Sequence, residues 1–276
     1  MAQDKPTDAP VVDSHAHVYT VDMPLSATAW HRPPADATIE QYIATLDRHG
    51  VKHAVLAAAS LFDDYNEYSI EAARKHKRLR TTVIVKPTID PYVMRMMKDD
   101  GVVGVRFQWR NVKDLPDITT PEYRKFFRRV RDLDWHVHIN QTADKLAAPI
   151  ATLQAAGVKL VIDHFGHPQK GGAASEGFRA VMHAVDNGRT WVKLSAGYRL
   201  ESPQVAQDCA RALLSHAGPE RLLWGSDWPF AAFEDKMRYE YAIASFKQWI
   251  PDANARRIIG GETALKLYFG GEAVTK

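Results

Sequence analysis

The sequence predicts a single α/β domain folded as a (β/α)8 TIM barrel with C-terminal helices. Eight short apolar runs alternate with polar turns and helix-period segments, and 276 residues are enough to bury a large core. Strands that are apolar throughout and alternate with helices are typical of a parallel sheet covered on both faces. Eight such units favour a closed barrel. An open doubly wound sheet is the alternative, and it is disfavoured because no G-x-G-x-x-G turn follows the first run.

The eight predicted strands share a short length and an apolar character. They span residues 10–15, 53–60, 80–87, 101–109, 135–140, 158–164, 190–196 and 221–227. No linker, low-complexity tract or change in composition divides the chain. We therefore expect a loose segment over residues 1–10 and one barrel over residues 11–276.

Helical signals occupy the segments between these runs. Residues 38–50 place apolar side chains on one helical face and end at Gly50, a favoured helix stop. Residues 120–134 begin with Thr120 as the predicted N-cap, followed by a proline at the first helical position. Residues 202–218 open in the same way and end with a glycine, so both segments are predicted to be helices.

Charge, cysteine content and apolar segments limit the partners and the cellular location that we expect for this protein. The formal net charge is +3 and the basic residues are spread along the chain, unlike a nucleic-acid-binding surface. Cys209 is the only cysteine, which excludes a disulfide framework and a thiolate metal site. The N-terminal residues lack the apolar core of a signal peptide, and no apolar run approaches membrane-spanning length. We expect a cytoplasmic protein without nucleic-acid or membrane partners, and the oligomeric state stays open, with a homo-oligomer as one alternative.

Polar residues lie at the C-terminal ends of several predicted strands, which surround one cavity in a closed barrel. They are His15, His17, Lys86, Arg106, His138, Asn140, His164, Ser195 and Asp227. His15 and His17, two positions apart in an extended chain, point the same way and could converge on a metal ion or a polarised carbonyl.

Other histidines give weaker signals. His31 and His167 lie in two insertions, residues 20–36 and 165–177, that we expect on the same rim, and either could be functional or structural. His136 is expected to be a hydrogen-bonded histidine of the barrel interior.

Six motifs are distributed along the chain: DSHAH (13–17), GVRF (104–107), WHV (135–137), DHFGHP (163–168), WGSDWP (224–229) and a closing TALKLYF helix. Together they resemble the amidohydrolase superfamily, and within it the branch of lactone hydrolases that includes 2-pyrone-4,6-dicarboxylate lactonase. The resemblance covers nearly the whole chain. It implies a hydrolase that acts on a carboxylic ester bond in aromatic or sugar-acid catabolism, with His15, His17, His164 and Asp227 around the scissile carbonyl.

The resemblance also bears on metal binding. Metal-binding members of the superfamily usually add a histidine at the end of strand five and often a carboxylated lysine or a glutamate on strand four. Here Asn140 and Arg106 stand at those places. The resembled lactonase works without a metal, so we expect no cofactor, with one zinc ion at His15, His17 and Asp227 as the alternative.

Lactone hydrolysis needs a base for water and donors for the carbonyl oxygen. Asp227 is the only carboxylate at the strand ends and is therefore the predicted base. The three histidines, His15, His17 and His164, are the predicted donors.

The predicted substrate is a small carboxylated lactone, because guanidinium groups pair with carboxylates through two hydrogen bonds. The predicted substrate-binding residues are Arg106, Lys86, Arg199, Arg110, Asn140 and His138. Three alternatives stay open: a sugar-acid lactonase or lactone isomerase on the same site, a mononuclear zinc hydrolase or decarboxylase, and a non-catalytic barrel.

Overall fold

Eight parallel strands form one sheet in residues 9–271, the part of the chain that the computed structural model describes. They are β1 Val12–Ala16, β2 His53–Leu56, β3 Leu79–Val83, β4 Val102–Gln108, β5 His136–Asn140, β6 Lys159–Ile162, β7 Thr190–Leu194 and β8 Leu222–Trp224. Each strand pairs with the next along the chain. Residues 1–8 of the predicted loose segment and residues 272–276 of the predicted barrel lie outside the described residues.

The sheet closes where the residues after β8 meet β1. The backbone N–H of Asp227 donates to the carbonyl of His15 at 2.8 Å, and that of His17 donates to the carbonyl of Trp228 at 2.7 Å. These bonds join the first and last strands, so the predicted barrel is confirmed.

Helices connect the strands and cover the outside of the barrel. They are α1 Ile39–His49, α2 Glu67–Lys75, α3 Pro91–Asp99, α4 Pro121–Asp132, α5 Ala147–Ala155, α6 Glu176–Ala184, α7 Pro203–Ala217, α8 Tyr239–Trp249, α9 Ala253–Arg257 and α10 Thr263–Tyr268. None of them is long and apolar enough to cross a bilayer.

The three predicted helices are capped by hydroxyl side chains at their N-termini. Thr38 accepts a hydrogen bond from the backbone of Gln41 before α1, and Gly50 ends that helix at φ 74°. Thr120 and Ser202 cap α4 and α7 in the same way. These boundaries agree with the predicted segments to within about two residues.

Several strands end earlier than their apolar runs predict: β2 and β3 stop four residues early and β7 two. β6 stops at Ile162 and β8 at Trp224, two and three residues before the predicted ends. The chain leaves the sheet there because His164 (φ 52°) and Asp227 (φ 65°) take left-handed backbone conformations. His164 and Asp227, which were expected at the ends of strands, therefore lie on tight turns above the barrel mouth.

The two ends of the barrel differ in polarity. Tyr268 and Phe269, at the end of α10, pack against Val12, Val55 and other apolar residues and cover the N-terminal end. Towards the C-terminal end the buried residues are polar, among them His15, His138, Asp163 and Lys193. A barrel interior is normally filled by branched apolar side chains, so this polar half marks the candidate site.

Candidate active site

Three imidazoles and one carboxylate converge at the mouth of the barrel. Asp227 Oδ1 lies 3.6 Å from His15 Nε2, 3.5 Å from His17 Nε2 and 3.8 Å from His164 Nε2. The two Nε2 atoms of His15 and His17 are 3.3 Å apart. The residues that the sequence placed at the ends of three different strands thus meet around one point.

The backbone at this point departs from ordinary strand geometry. Asp227 and His164 have φ values of 65° and 52°, and Phe165 and His167 are also left-handed. Such conformations are unfavourable for residues other than glycine and cluster at functional sites. In β1, the pairing with β2 changes register between Asp13 and Ala16, and irregularities of this kind re-aim side chains near active sites.

Asp227 is held by donors on its outer oxygen. The hydroxyl of Tyr198 donates to Oδ2 at 2.6 Å and Arg199 Nε donates to it at 2.9 Å, which leaves Oδ1 facing the histidines. Burial raises the pKa of Asp227, but the charges of Arg199 and His164 outweigh burial and hold it well below its ordinary value. The carboxylate is therefore ionised at neutral pH.

Each histidine is oriented through its other ring nitrogen. His17 Nδ1 donates to the carbonyl of Ala57 at 2.7 Å. His164 Nδ1 contacts Ser195 Oγ at 2.8 Å, which explains the serine that the sequence places at the end of strand seven. His15 Nδ1 faces Lys193 Nζ at 3.1 Å and Asp163 Oδ1 at 3.3 Å.

A fully buried charge network lies beneath the histidines. Asp163 accepts from Arg106 Nε at 3.0 Å and pairs with Lys193 Nζ at 3.1 Å. Burial lowers the pKa of Lys193 to about 8, which still leaves the ammonium as its main form at neutral pH. The sequence reading missed both Asp163 and Lys193, although a lysine within the apolar run TWVKLSA was a usable signal.

Arg106 was expected to face the substrate. It does line the cavity, but Nε is bonded to Asp163 and Nη1 donates to the carbonyl of Ala58 at 2.7 Å. Two of its five N–H donors are therefore used inside the protein, and its charge is paired with Asp163.

A cavity of about 280 Å³ opens above this network. The predicted site residues that line it are His17, His164, Asp227, Arg106, Arg110, Arg199 and Asn140. His15 forms the buried layer directly behind them, through the contacts given above.

Two predicted substrate-binding residues do not line this cavity. Lys86 is exposed and lines a neighbouring cavity that shares Trp30 and Arg106 with the first. His138 is fully buried below the site, where Nδ1 contacts Lys193 at 3.2 Å and Nε2 lies 3.4 Å from the hydroxyl of Tyr268.

Two polar atoms in the cavity wall are buried without a hydrogen-bond partner in residues 9–271. They are Oδ1 of Asn140 and Nε2 of His167. Buried polar groups are nearly always paired, so these atoms are candidates to contact a ligand. His136 lies in the barrel interior as expected, but its Nε2 has no hydrogen-bond partner among the described residues.

The donor atoms could hold a metal ion. His15, His164 and Asp227 form a buried cluster of suitable ligand atoms. The spacings of 3.3 to 3.6 Å among His15, His17 and Asp227 are close to the roughly 3.4 Å expected between ligands of a tetrahedral zinc ion. The outer nitrogen of a metal-bound histidine normally donates to an acceptor. Nδ1 of His15 has a carboxylate within reach, Asp163 at 3.3 Å, but the ammonium group of Lys193 lies closer, at 3.1 Å, which makes His15 a poorer ligand than His17.

The buried histidines predict a stability that falls in mild acid. Burial lowers the pKa of His164 to about 4, and lowers those of His15, His136, His138 and His167 well below their ordinary value. Below about pH 6.5 the unfolded chain binds protons that the folded protein does not, so the free energy of unfolding becomes smaller as the pH falls. We expect a loss of about 2 kcal/mol between pH 7 and pH 5 from His164 alone.

Urea unfolding at pH 7, 6 and 5 measures this effect. His136→Gln should flatten the dependence. A stability that is equal at pH 5 and pH 7 would contradict the prediction.

Comparison with known protein families identifies the family of this chain. The family model described as Amidohydrolase matches residues 12–270. The chain belongs to the amidohydrolase family. The superfamily that the motifs predicted is therefore confirmed.

Curated relatives of this family member act on lactones. A 4-sulfomuconolactone hydrolase from Rhizobium radiobacter is 28% identical over 235 residues, which cover 82% of this chain and 78% of the relative. A 2-pyrone-4,6-dicarboxylate hydrolase from Comamonas testosteroni is 28% identical over 282 residues, covering 96% and 92%. A D-galactarolactone isomerase from Agrobacterium fabrum is 26% identical, covering 89% and 86%.

A solved structure supports the same branch. The crystal structure of a probable 2-pyrone-4,6-dicarboxylic acid hydrolase from Acinetobacter baumannii, with citric acid bound, is similar with a TM-score of 0.90 and 28% identity. The match covers 94% of this chain and 99% of that chain. The relatives of this amidohydrolase are thus lactone hydrolases or isomerases.

Proposed function

We propose that this amidohydrolase hydrolyses a small anionic lactone in the cavity at the barrel mouth. The observation that carries the proposal is the convergence of three imidazoles on one oxygen of Asp227, within 3.5 to 3.8 Å. One base and several donors around a single point are what attack of water on a carbonyl requires. The lactone-hydrolase relatives support the same reaction class.

In this proposal Asp227 activates water. Oδ1 accepts a proton while the water oxygen attacks the carbonyl carbon, and the ring C–O bond then breaks. The proton held by Asp227 is available to the leaving oxygen in the same cavity. Tyr198 and Arg199 keep the carboxylate ionised and fix its orientation through Oδ2.

The histidines stabilise the oxygen on which charge develops. Burial keeps His15 and His164 neutral at pH 7, so each can act as an N–H donor rather than as a cation. Preorganised donors in a water-poor site stabilise an oxyanion strongly, and loss of one typically costs about 10²–10³-fold in kcat.

We propose that the reaction is metal-independent. The support is the contact of His15 Nδ1 with Lys193, which disfavours His15 as a ligand. If zinc is present, His15, His17 and Asp227 are the residues that would hold it, and the ion would supply Lewis-acid polarisation of the carbonyl.

Arg110 is the cation best placed for the anionic group of the substrate. It lines the cavity, and no carboxylate in residues 9–271 forms a salt bridge with it. Arg199, by contrast, is already paired with Asp227 at 2.9 Å. Burial and repulsion by Arg199 lower the pKa of Arg110, as expected for a cation that lacks its counter-ion.

Arg110→Met is therefore expected to raise KM for an anionic lactone by roughly 10- to 100-fold, the cost of one charge-assisted contact. For a neutral lactone, KM should change by less than about three-fold. Steady-state kinetics with both substrates measures the effect, and Arg95→Met, on α3 outside the cavity, is the matched control. Equal changes for the two substrates would mean that Arg110 does not bind the anion.

The proposed function is tested by a lactone panel on protein of known metal content, with and without a chelator. The panel contains dicarboxylated, sulfonated, hydroxylated and neutral lactones. We expect turnover of an anionic lactone that chelation leaves intact. Activity lost on chelation and restored by one equivalent of zinc would overturn the metal-independent mechanism, and no turnover of any anionic lactone would overturn the function.

A second candidate function is the hydrolysis or isomerisation of a hydroxylated, sugar-acid lactone. The unpaired Oδ1 of Asn140 and Nε2 of His167 in the cavity wall favour it, because substrate hydroxyls would satisfy both atoms. The similarity to a D-galactarolactone isomerase also supports a sugar-acid lactone as the substrate class. Product analysis by NMR separates the open acid of hydrolysis from a shifted lactone ring.

A further inference from the structure

Lys193 lies below the cavity with three polar neighbours around its ammonium group. The side chain is fully buried on β7, and Nζ lies 3.1 Å from Asp163 Oδ1, 3.1 Å from His15 Nδ1 and 3.2 Å from His138 Nδ1. An ammonium group has three N–H donors and no lone pair. The two histidines must therefore accept its hydrogen bonds, which each can do only through an unprotonated Nδ1, while Asp163 Oδ1 is its counter-ion without a hydrogen bond.

The contact with Lys193 decides where neutral His15 carries its proton. With Nδ1 accepting from Lys193, the proton is on Nε2, the nitrogen that lies 3.6 Å from Asp227 Oδ1. His15 then points an N–H group towards His17 and Asp227 from the buried layer directly behind the cavity.

His17 has the opposite arrangement. Its Nδ1 lies 2.7 Å from the carbonyl oxygen of Ala57, which can only accept, so the neutral ring carries its proton on Nδ1. Its Nε2 is therefore a lone pair, 3.3 Å from the Nε2–H of His15. The two histidines of the H-x-H motif thus differ in chemistry: one donates towards the cavity and the other accepts.

We propose that Lys193 is a positioning residue that holds His15 in the Nε2–H tautomer, so that His15 donates a hydrogen bond to the carbonyl oxygen of the substrate. The role of the donor rests on the proposed lactone hydrolysis. Asp163 supplies the alternative: its Oδ1 lies 3.3 Å from His15 Nδ1 and would accept a proton from that nitrogen if Lys193 were absent. Removing Lys193 then moves the proton to Nδ1 and leaves a lone pair where the oxyanion needs a donor.

The first arm of the test is NMR on the unaltered protein with 15N-labelled histidine, with the His15 signals assigned by their absence in His15→Gln. We expect Nε2 of His15 to be protonated and Nδ1 to be bare, and the reverse for His17. A proton on Nδ1 of His15 overturns the inference, whatever the protein hydrolyses. The predicted tautomer in a protein that turns over no lactone would overturn the proposed function alone.

The second arm is Lys193→Met with the same labelling and with kinetics. We expect the His15 proton to move to Nδ1 and kcat to fall about 10²-fold, with KM within a few-fold. Val192→Ala is the matched control. Val192 precedes Lys193 in β7 and is also fully buried, so its truncation leaves a cavity but does not change the hydrogen bond to His15 Nδ1. An unchanged His15 tautomer in Lys193→Met, or equal losses of kcat in both variants, would overturn the inference.

Discussion

Asp227→Asn is expected to lower kcat by about 10²-fold or more while the protein stays folded. The substitution keeps the size of the side chain, and Tyr198 and Arg199 can still donate to the amide oxygen, although the charge that pairs with Arg199 is lost. What is lost is the proton acceptor 3.5 to 3.8 Å from three imidazoles. Because the base acts in the transition state, kcat should fall much more than KM changes.

Glu234→Gln is the matched control for this prediction. Glu234 is a second carboxylate at the rim, and it bonds His31 at 2.6 Å instead of the central cluster. We expect its substitution to leave kcat within a few-fold of the parent value. Activity of Asp227→Asn within a few-fold of the parent, with an unchanged thermal midpoint, would show that the base is another group.

Asp163→Asn is expected to reduce the free energy of unfolding by about 3–5 kcal/mol, the cost of breaking a buried ion pair from one side. Asp163 is the carboxylate shared by Arg106 and Lys193, and all three side chains are almost completely buried. An amide leaves two buried cations without their counter-ion. Urea unfolding at pH 7 measures the loss.

An exposed ion pair provides the control for Asp163→Asn. Asp134 pairs with Lys159 at 2.7 Å, but its side chain is 77% exposed, so Asp134→Asn should cost less than about 1 kcal/mol. An equal decrease in the free energy of unfolding for the two substitutions would contradict a stabilising role of the buried charge network.

The acid dependence of the Asp163 contribution has a definite sign. Burial alone would raise the pKa of Asp163, but Lys193, His15 and Arg106 hold it well below its ordinary value. The ionised carboxylate therefore stabilises the protein above about pH 4, and this contribution decreases as pH falls through the range below that value. Asp163→Asn should lack this part of the acid dependence.

Local patterns were enough to predict most of the architecture. Apolar runs alternating with capped helices predicted eight strands, and Thr38, Thr120 and Ser202 cap their helices as expected. The predicted ends of β2, β3, β6, β7 and β8 came two or more residues too late. At β6 and β8 the left-handed turns at His164 and Asp227 follow from the closure of the barrel and cannot be read from an apolar run.

The convergence of the site was predictable for a related reason. In a parallel barrel every strand points the same way, so polar residues that follow apolar runs meet at one rim. This is why His15, His17, His164 and Asp227 could be grouped without coordinates, and the structure places their ring nitrogens and carboxylate within 3.8 Å.

The pairing of charges at the site was decided by the tertiary structure alone. Arg106 is 57 positions from Asp163, and Lys193 is 178 positions from His15, so no local spacing links them. A buried charge is stable only with a partner, and which partner it meets depends on how neighbouring strands align. Folding therefore pairs Arg106 with Asp163, leaves Arg110 in the cavity without a salt bridge to any carboxylate of residues 9–271, and places Lys193 beside Asp163 and two histidine nitrogens.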